Sequence, residues 1–268
     1  MMSFMASVGS NPTLSAPKYS NMNANKIIDR AKQEIVQKTN PISIFLYGSY
    51  TTPDYLRGVS DLEIGVLKTG KKSISKTLRT IAEKYSEKDA RLRIYSYDLH
   101  KVKEETVDTP FTKSVFLRHL ILTSKTIWEE QIMEELPLPS ISLFDAYREA
   151  CFSTMRALSA IFFLRAHKKD ETIEMSYKAC LFATRSLEYL RGEYPIGFQN
   201  IVKKSKKLNL DKEWKKLIEY AYNLRKGNVK PSKDELYTFS FNVITYCNQI
   251  VEERIKKELK KGDRIIVR

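Results

Sequence analysis

The sequence has 268 residues, of which 42% are hydrophobic, and its 46 Lys and Arg outnumber its 32 Asp and Glu to give a formal charge of +14. That length suits two domains of roughly 100–150 residues each. Nine Gly and nine Pro exclude a collagen-like or low-complexity chain, and no apolar run approaches the ~20 residues of a membrane-spanning helix. The charge favours an anionic partner such as a nucleotide or nucleic acid, although a lysine-rich solvated surface would give the same balance.

The cysteines and the N-terminal segment indicate a compartment. Cys151, Cys180 and Cys247 are odd in number and far apart, and none belongs to a CxxC pair. A disulfide scaffold or a thiolate zinc site is therefore not expected. Residues 1–22 contain no continuous hydrophobic stretch and are predicted to be a flexible arm, not a signal peptide. We therefore expect a cytoplasmic protein that does not enter the membrane.

The pattern of residues 23–138 predicts an α/β unit with a small sheet. A helix is predicted from Asn25, as its N-cap, to the Asn40-Pro41 step, which is unfavourable for helix continuation. A second helix is predicted after Ser73 as its cap, and a third over 111–122. Strands are predicted where apolar residues are continuous or alternate with polar ones, namely over 43–47, 61–67, 91–97 and 126–128.

After Pro137-Leu138-Pro139 the periodicity changes. Apolar residues then recur at helical spacing, and strand-like stretches are missing until the last few residues. Gly192, Gly227 and Pro231 mark breaks between the helical segments. Residues 139–268 are therefore predicted to form an antiparallel helical bundle, with helices over 141–167, 172–191, 211–225 and 231–259.

The chemically informative stretch is Phe45-Leu46-Tyr47-Gly48-Ser49, followed after eleven residues by Asp61-Leu62-Glu63-Ile64. A glycine turn brings backbone N–H groups close to a phosphate, and the Ser49 hydroxyl adds a donor. Side chains two apart on a strand face the same way, so the two carboxylates converge. A hard cation such as Mg²⁺, shared with substrate phosphates, would relieve their repulsion. An ordinary turn beside a solvated edge strand is the alternative interpretation.

These residues resemble the nucleotidyltransferase superfamily that includes DNA polymerase β. The nearer likeness is to the kanamycin-type aminoglycoside nucleotidyltransferases, in the run Tyr47-Gly48-Ser49 and then Ser60-Asp61-Leu62-Glu63. The resemblance implies an α+β fold, in which a polymerase β-like domain with a small mixed sheet precedes an all-α helical bundle. It also implies that Mg²⁺ aligns a nucleoside triphosphate, with ATP the expected donor, for attack on the α-phosphorus as pyrophosphate leaves.

The sequence departs from the family pattern at two places. The family usually carries a third carboxylate on the next strand, where Arg93 stands here, and Arg93 could instead contact a phosphate. The kanamycin-type enzymes take their general base from a helix beyond the sheet, which makes Glu149 the candidate by position. A basic residue expected shortly after the serine is replaced by Thr52, so Arg57 is the nearest cation for the β- or γ-phosphate.

The resulting hypothesis is a Mg²⁺-dependent nucleotidyltransferase that moves an NMP group from an NTP to an acceptor hydroxyl. Its predicted catalytic residues are Asp61, Glu63 and Glu149, with Asp61 and Glu63 as metal ligands. The nucleotide would contact Gly48, Ser49, Arg57 and Arg93. The positive charge argues against a polycationic aminoglycoside and for an anionic acceptor or RNA. Two alternatives stay open: a catalytically silent nucleotide- or RNA-binding protein, and an antitoxin-like enzyme that modifies a partner protein.

Overall fold

The computed structural model describes residues 22–70 and 73–268. The N-terminal arm predicted over residues 1–22 lies outside these residues except for Met22. The elements of the first part of the chain are α1 (Met22–Thr39), β1 (Ser43–Tyr47), a 3₁₀ turn (Gly48–Thr51), β2 (Leu62–Lys68), α2 (Ser75–Tyr85), β3 (Leu92–Asp98), α3 (Leu99–Lys103), α4 (Lys113–Thr123), β4 (Lys125–Glu129) and α5 (Ile132–Glu135).

Four strands form one mixed sheet in the order β3-β2-β1-β4. Strand β1 pairs antiparallel with both β2 and β4, whereas β2 and β3 run parallel. Parallel neighbours need a crossover connection, and α2 supplies it. The register places Glu63 opposite both Tyr47 and Arg93, so the end of β1 lies beside the start of β2.

The two faces of the sheet carry different cores, as the alternation of the strands predicts. Leu62 and Ile64 of β2 and Leu92 and Ile94 of β3 pack with apolar residues of α1 and α2. On the opposite face Phe45, Tyr47 and Leu67 pack with α4. The face on which Glu63 lies is therefore covered by α4 and is not open to solvent as an edge strand would be.

The second part of the chain is helical. Its elements are β5 (Ile141–Ser142), α6 (Leu143–Arg165), α7 (Lys169–Tyr189), α8 (Phe198–Ser205), α9 (Lys212–Arg225), α10 (Lys233–Gln249), a π-helical segment (Ile250–Ile255), α11 (Lys256–Leu259) and β6 (Ile265–Val267). One core joins helices α6 to α10. A mixed sheet followed by this helical region confirms the α+β prediction, and the division at residue 138 stays a prediction.

The structure corrects several boundaries. Asn25 does not cap α1, because the helix already begins at Met22, and the Asn25 Oδ1 accepts a hydrogen bond from the Tyr50 hydroxyl instead. Helix α2 begins after Ile74 without a side-chain cap, so the prediction for Ser73 was wrong. Ile141 and Ser142 form a short strand with the C-terminal β6. Helix α8, of eight residues, was not predicted as an element.

The loop between the 3₁₀ turn and β2 is attached to the helical region. Asp54 Oδ1 accepts a hydrogen bond from the backbone N–H of Gln199 at 3.0 Å, and Arg225 Nη2 donates to the Asp54 carbonyl oxygen at 2.8 Å. Burial raises the pKa of the Asp54 carboxyl. This contact fixes the segment that precedes Asp61 against α8 and α9.

Among the described helices, none combines the length and the apolar character that crossing a bilayer requires.

Candidate active site

The Gly-Ser turn follows directly from the end of β1. Gly48 adopts φ +73, a left-handed conformation that favours glycine. A Cβ at this position would lie 2.1 Å from Oε2 of Glu63. Any side chain here would therefore displace the Glu63 carboxylate, and glycine is what allows the turn and the acid to lie side by side.

The donors of the turn are used unequally. The Gly48 N–H donates to Thr123 Oγ1 at 3.1 Å, so it is engaged by α4. The Ser49 hydroxyl makes no hydrogen bond within the described parts of the chain, and Ser49 lines the cavity described below. Of the two residues of the turn that are predicted to contact phosphate, Ser49 is thus the one whose donor is not already engaged by α4.

The two acids of the motif lie at the start of β2 and line one cavity with Gly48 and Ser49. Burial raises the pKa of Glu63 to about 7, and the negative charge of Asp61 adds to the effect, while Lys178 and Arg93 oppose it. A cation between the two carboxylates would reduce their repulsion and favour the ionised form of Glu63.

Asp61 is held between two arginines. Arg93 Nε donates a hydrogen bond to Oδ2 at 2.9 Å. Arg91 Nε lies 2.8 Å from Oδ1 without the alignment of a hydrogen bond. Both guanidinium groups are about half exposed, at 54% for Arg91 and 49% for Arg93. The position where the family pattern has a third carboxylate is therefore occupied by a cation that pairs with the first one.

The cavity measures about 280 Å³ and lies between the sheet face, α4 and the helical region. Glu149 of α6 lines it, as do Glu174 and Lys178 of α7. The Glu149 side chain is 3% exposed, and its Oε1 accepts a hydrogen bond from Arg185 Nη2 at 2.6 Å. The residue predicted as general base is thus brought to the same cavity as the Gly-Ser turn, but inside a buried ion pair.

The two predicted phosphate-binding arginines do not line the cavity. Arg57 is exposed, and its guanidinium lies 3.7 Å from a carboxylate oxygen of Asp89. Arg93 faces the site side of β3, as its alternation with Leu92 and Ile94 predicts, but it contacts Asp61. Asp98, the nearest acid on that strand, accepts hydrogen bonds from the first turn of α3 and takes no part in the site.

Sequence reasoning missed the contribution of the long helices. Arg156, Glu174, Lys178 and Arg185 all line the cavity. Glu174 pairs with Lys178 at 2.5 Å, and Lys178, Arg93 and Arg91 lower the pKa of the Glu174 carboxyl against the effect of its burial. No local pattern in the sequence distinguishes these residues from solvated charges.

The donor set suits a magnesium ion shared with substrate. The described residues contain no group of three or more His, Cys, Asp or Glu that could hold a metal alone. Asp61 and Glu63 offer hard carboxylate oxygens in one cavity, and Mg²⁺ in phosphoryl-transfer sites is commonly held by one or two carboxylates together with substrate phosphates. The residues present therefore fit Mg²⁺ bound with a nucleotide.

The chain is similar to a known domain family and to solved structures. Residues 28–123 match the family model of the nucleotidyltransferase domain. No curated protein sequence gives a significant match. Among solved structures, the chain is similar to spectinomycin adenyltransferase AAD(9) from Enterococcus faecialis, crystallised with ATP and spectinomycin. The TM-score is 0.54 at 14% identity, over 85% of this chain and 99% of that one.

These matches cover the segment that carries the Gly-Ser turn and both acids, and the fold of the helical region behind them. The structural match at 14% identity shows the fold, and the family model identifies the domain over residues 28–123. Residues 28–123 therefore form a nucleotidyltransferase domain, and the chain is similar in fold to spectinomycin adenyltransferase AAD(9).

Proposed function

We propose that the protein transfers the AMP group of ATP to a hydroxyl of an acceptor bound in the cavity, with release of pyrophosphate. One observation carries the proposal: Ser49, Asp61 and Glu63 open onto the same cavity as the charged residues of the helical region. Cavities between structural units are where small ligands usually bind. The choice of ATP is supported by the similar adenyltransferase, whose structure contains it.

In this reaction the acceptor oxygen forms a bond to the α-phosphorus while the bond from phosphorus to the bridging oxygen of pyrophosphate breaks. The Ser49 hydroxyl would donate a hydrogen bond to a phosphate oxygen, and Asp61 and Glu63 would hold Mg²⁺. When bound, the metal supplies positive charge that neutralises the phosphates and favours in-line geometry. The role of the chain is thus chiefly to position the nucleotide and acceptor.

The proton of the acceptor hydroxyl needs a base within reach. Glu149 and Glu174 are the two carboxylates of the helical region that line the cavity. Glu149 is engaged with Arg185, and Glu174 with Lys178. We retain Glu149 as the proposed base because a helix beyond the sheet is where the family resemblance implies it. Loss of transfer in Glu149→Gln at unchanged ATP affinity would support this role. If Glu174→Gln loses transfer and Glu149→Gln does not, Glu174 is the base.

The test is transfer of label from [α-³²P]ATP in the presence of Mg²⁺ to small-molecule, RNA and protein acceptors, with pyrophosphate release followed in parallel. Asp61→Asn should reduce transfer by about a thousandfold or more, because the site then lacks one of the two carboxylates that would hold Mg²⁺ against the phosphates. Glu83→Gln, a matched change on the exposed face of α2, should leave transfer unchanged. Equal transfer by wild type and Asp61→Asn would contradict the proposal.

A second function, nucleotide binding without transfer, is favoured by one feature of the site. Arg91 and Arg93 already neutralise Asp61, and the one acid of β3, Asp98, accepts hydrogen bonds from α3 and takes no part in the site. A binder of this kind should bind ATP without requiring Mg²⁺ and release no pyrophosphate. Calorimetric titration with ATP, with and without Mg²⁺, separates the two functions, since the enzyme should bind the nucleotide more tightly with the metal.

A further inference from the structure

The cavity has an inner end with a charge pattern of its own. We define the inner end by His119 of α4, Glu149 and Arg156 of α6, and Phe182 and Arg185 of α7, all of which line the cavity. The guanidinium carbons of Arg156 and Arg185 lie 4.6 Å and 4.4 Å from the centroid of the Phe182 ring. Two cationic groups are thus stacked against the same aromatic side chain.

The charges of the inner end do not balance. Glu149 neutralises Arg185 through the 2.6 Å pair, so that one carboxylate serves two guanidinium groups. Burial, with a contribution from Arg185, lowers the pKa of His119 to about 3, so the imidazole is neutral at physiological pH. The next acid along the cavity, Glu174, is paired with Lys178. Within the described parts of the chain, Arg156 is the charged group of the inner end that has no ion-pair partner.

Arg156 is also unsatisfied as a hydrogen-bond donor. Its Nη1 atom is buried and has no partner within the described parts of the chain, and the same holds for Arg185 Nε. Burial lowers the pKa of Arg156 to about 10, which is the signature of a cation held away from solvent without full compensation. A cation that is largely removed from water and lacks an ion-pair partner is unfavourable in a folded protein, so a bound anion would stabilise this arrangement.

We propose that the inner end binds an anionic group of the acceptor, a carboxylate or a phosphate, and that Arg156 is its principal ligand. The inference rests on the proposed function only in naming the ligand as acceptor. Aromatic side chains flank the guanidinium, with the centroids of Phe111 and Phe152 lying 5.5 Å and 4.5 Å from its central carbon. An acceptor that joins an anionic group to a compact apolar or aromatic body would pair with the Arg156 guanidinium and pack against the aromatic side chains.

The inner end also disfavours the opposite charge. A polycationic acceptor, as the aminoglycosides are, would bring like charge against Arg156, and Glu149 is already engaged by Arg185. Like charges at close range in a partly desolvated site repel strongly. The inner end is therefore unsuited to a polycationic acceptor.

The test is calorimetric titration of the nucleotide-free protein at pH 7.5 with shape-matched probes of different charge. The anionic probes are 4-hydroxybenzoate and 4-hydroxyphenyl phosphate, which distinguish a carboxylate from a phosphate site. The neutral probe is 4-hydroxybenzyl alcohol, and the cationic probe is tyramine. At least one anionic probe should bind about tenfold or more tightly than the neutral and cationic probes, because a charge-assisted hydrogen bond distinguishes them.

Arg156→Gln should weaken binding of the preferred anionic probe by about tenfold to a hundredfold, and Arg156→Lys should restore part of it. Arg148→Gln, on the exposed face of the same helix, should bind like wild type. Equal binding of tyramine and the anions would overturn the inference. So would an Arg156→Gln variant that binds the anion normally but has lost affinity for ATP, since the guanidinium would then serve the triphosphate.

The outcome is separable from that of the proposed function. Anion binding is measured without nucleotide or metal, so Asp61→Asn should retain it. A protein that binds the anionic probe but transfers no label would refute the transferase proposal and leave the anion site standing. A protein that transfers label to acceptors yet binds no anionic probe, or loses no affinity on Arg156→Gln, would refute the anion site alone.

Discussion

Two of the carboxylates that line the cavity pair with arginines in different surroundings. At the rim, Asp61 lies between Arg91 and Arg93, whose side chains are 54% and 49% exposed. At the inner end, Glu149 and Arg185 pair with side chains that are only 3% and 8% exposed. Water screens the first arrangement and hardly reaches the second. The pairs of Asp61 can therefore be broken at a small cost in free energy, whereas the inner pair is costly to break.

This difference also separates the two roles that carboxylates play in the site. A metal ligand has to be released from its resting partner at small free-energy change, which an exposed pair allows. A buried pair fixes side-chain positions, because breaking it leaves an uncompensated charge. Substitutions at the rim and at the inner end should therefore change different measured quantities.

The largest effect on stability is expected at the inner pair. Glu149→Gln should lower the free energy of unfolding by about 3–5 kcal/mol, because Arg185 then remains buried without its counter-charge. Asp61→Asn at the rim should change it by about 1 kcal/mol or less. Urea denaturation of both variants measures the difference. Equal destabilisation by the two substitutions would contradict the distinction between rim and inner end, and a Glu149→Gln/Arg185→Met double variant should recover part of the loss.

An intermediate effect is expected from His119, and it depends on pH. Its folded-state pKa of about 3 lies below the ordinary value of 6.5, so the unfolded chain binds a proton that the folded chain does not. Stability therefore falls as pH decreases below 6.5, and the linkage amounts to about 2 kcal/mol between pH 7.5 and pH 5. His119→Gln should remove this part of the pH dependence of the free energy of unfolding.

The control for that measurement is His100→Gln. His100 is exposed and pairs with Glu104 on the same short helix, so its substitution should leave the acid limb of the stability profile as steep as in wild type. If His119→Gln and wild type lose stability in parallel between pH 7.5 and pH 5, the imidazole is not held neutral at the inner end.

The smallest effect is expected at the rim. Arg93→Gln should alter the free energy of unfolding by less than about 1 kcal/mol, because its pair with Asp61 is half exposed. It should also shift the Mg²⁺ dependence of transfer to lower concentrations, by less than about tenfold, since Asp61 loses one competing partner. A Mg²⁺ titration at fixed ATP checks this, with the exposed Arg79→Gln on α2 as matched control. A shift to higher Mg²⁺ would mean that Arg93 assists binding of the metal–nucleotide.

Local sequence was sufficient for the sheet side of the site. The alternation of Leu62 and Ile64 with Asp61 and Glu63 determines which face each residue takes, because a strand has only two faces. The glycine at position 48 likewise predicted a turn, and the parity of Arg93 was predicted from Leu92 and Ile94. The structure adds that Asp61 is the partner of Arg93, which depends on the register between β2 and β3.

The helical side of the site could not be predicted in the same way. A helix presents charged residues on several faces, and which of them meets the cavity depends on how α6 and α7 pack against each other and against the sheet. Glu149 was selected through the family resemblance. Arg156 and Arg185 had no local signal that distinguishes them from solvated arginines. Their partnership with Phe182 and Glu149 arises only from tertiary packing.

The anchoring of Asp54 to the helical region has a practical consequence. This carboxylate sits close to the backbone of Gly197, where a Cβ would lie 2.0 Å from Oδ2, and its own carbonyl oxygen is held by Arg225. The chain between the serine and the first acid thus owes its shape to residues that follow it by well over a hundred positions. A fragment cut after the sheet would keep every residue of the nucleotide motif and lose the scaffold that sets their spacing, so the two halves form one catalytic unit despite their separate cores.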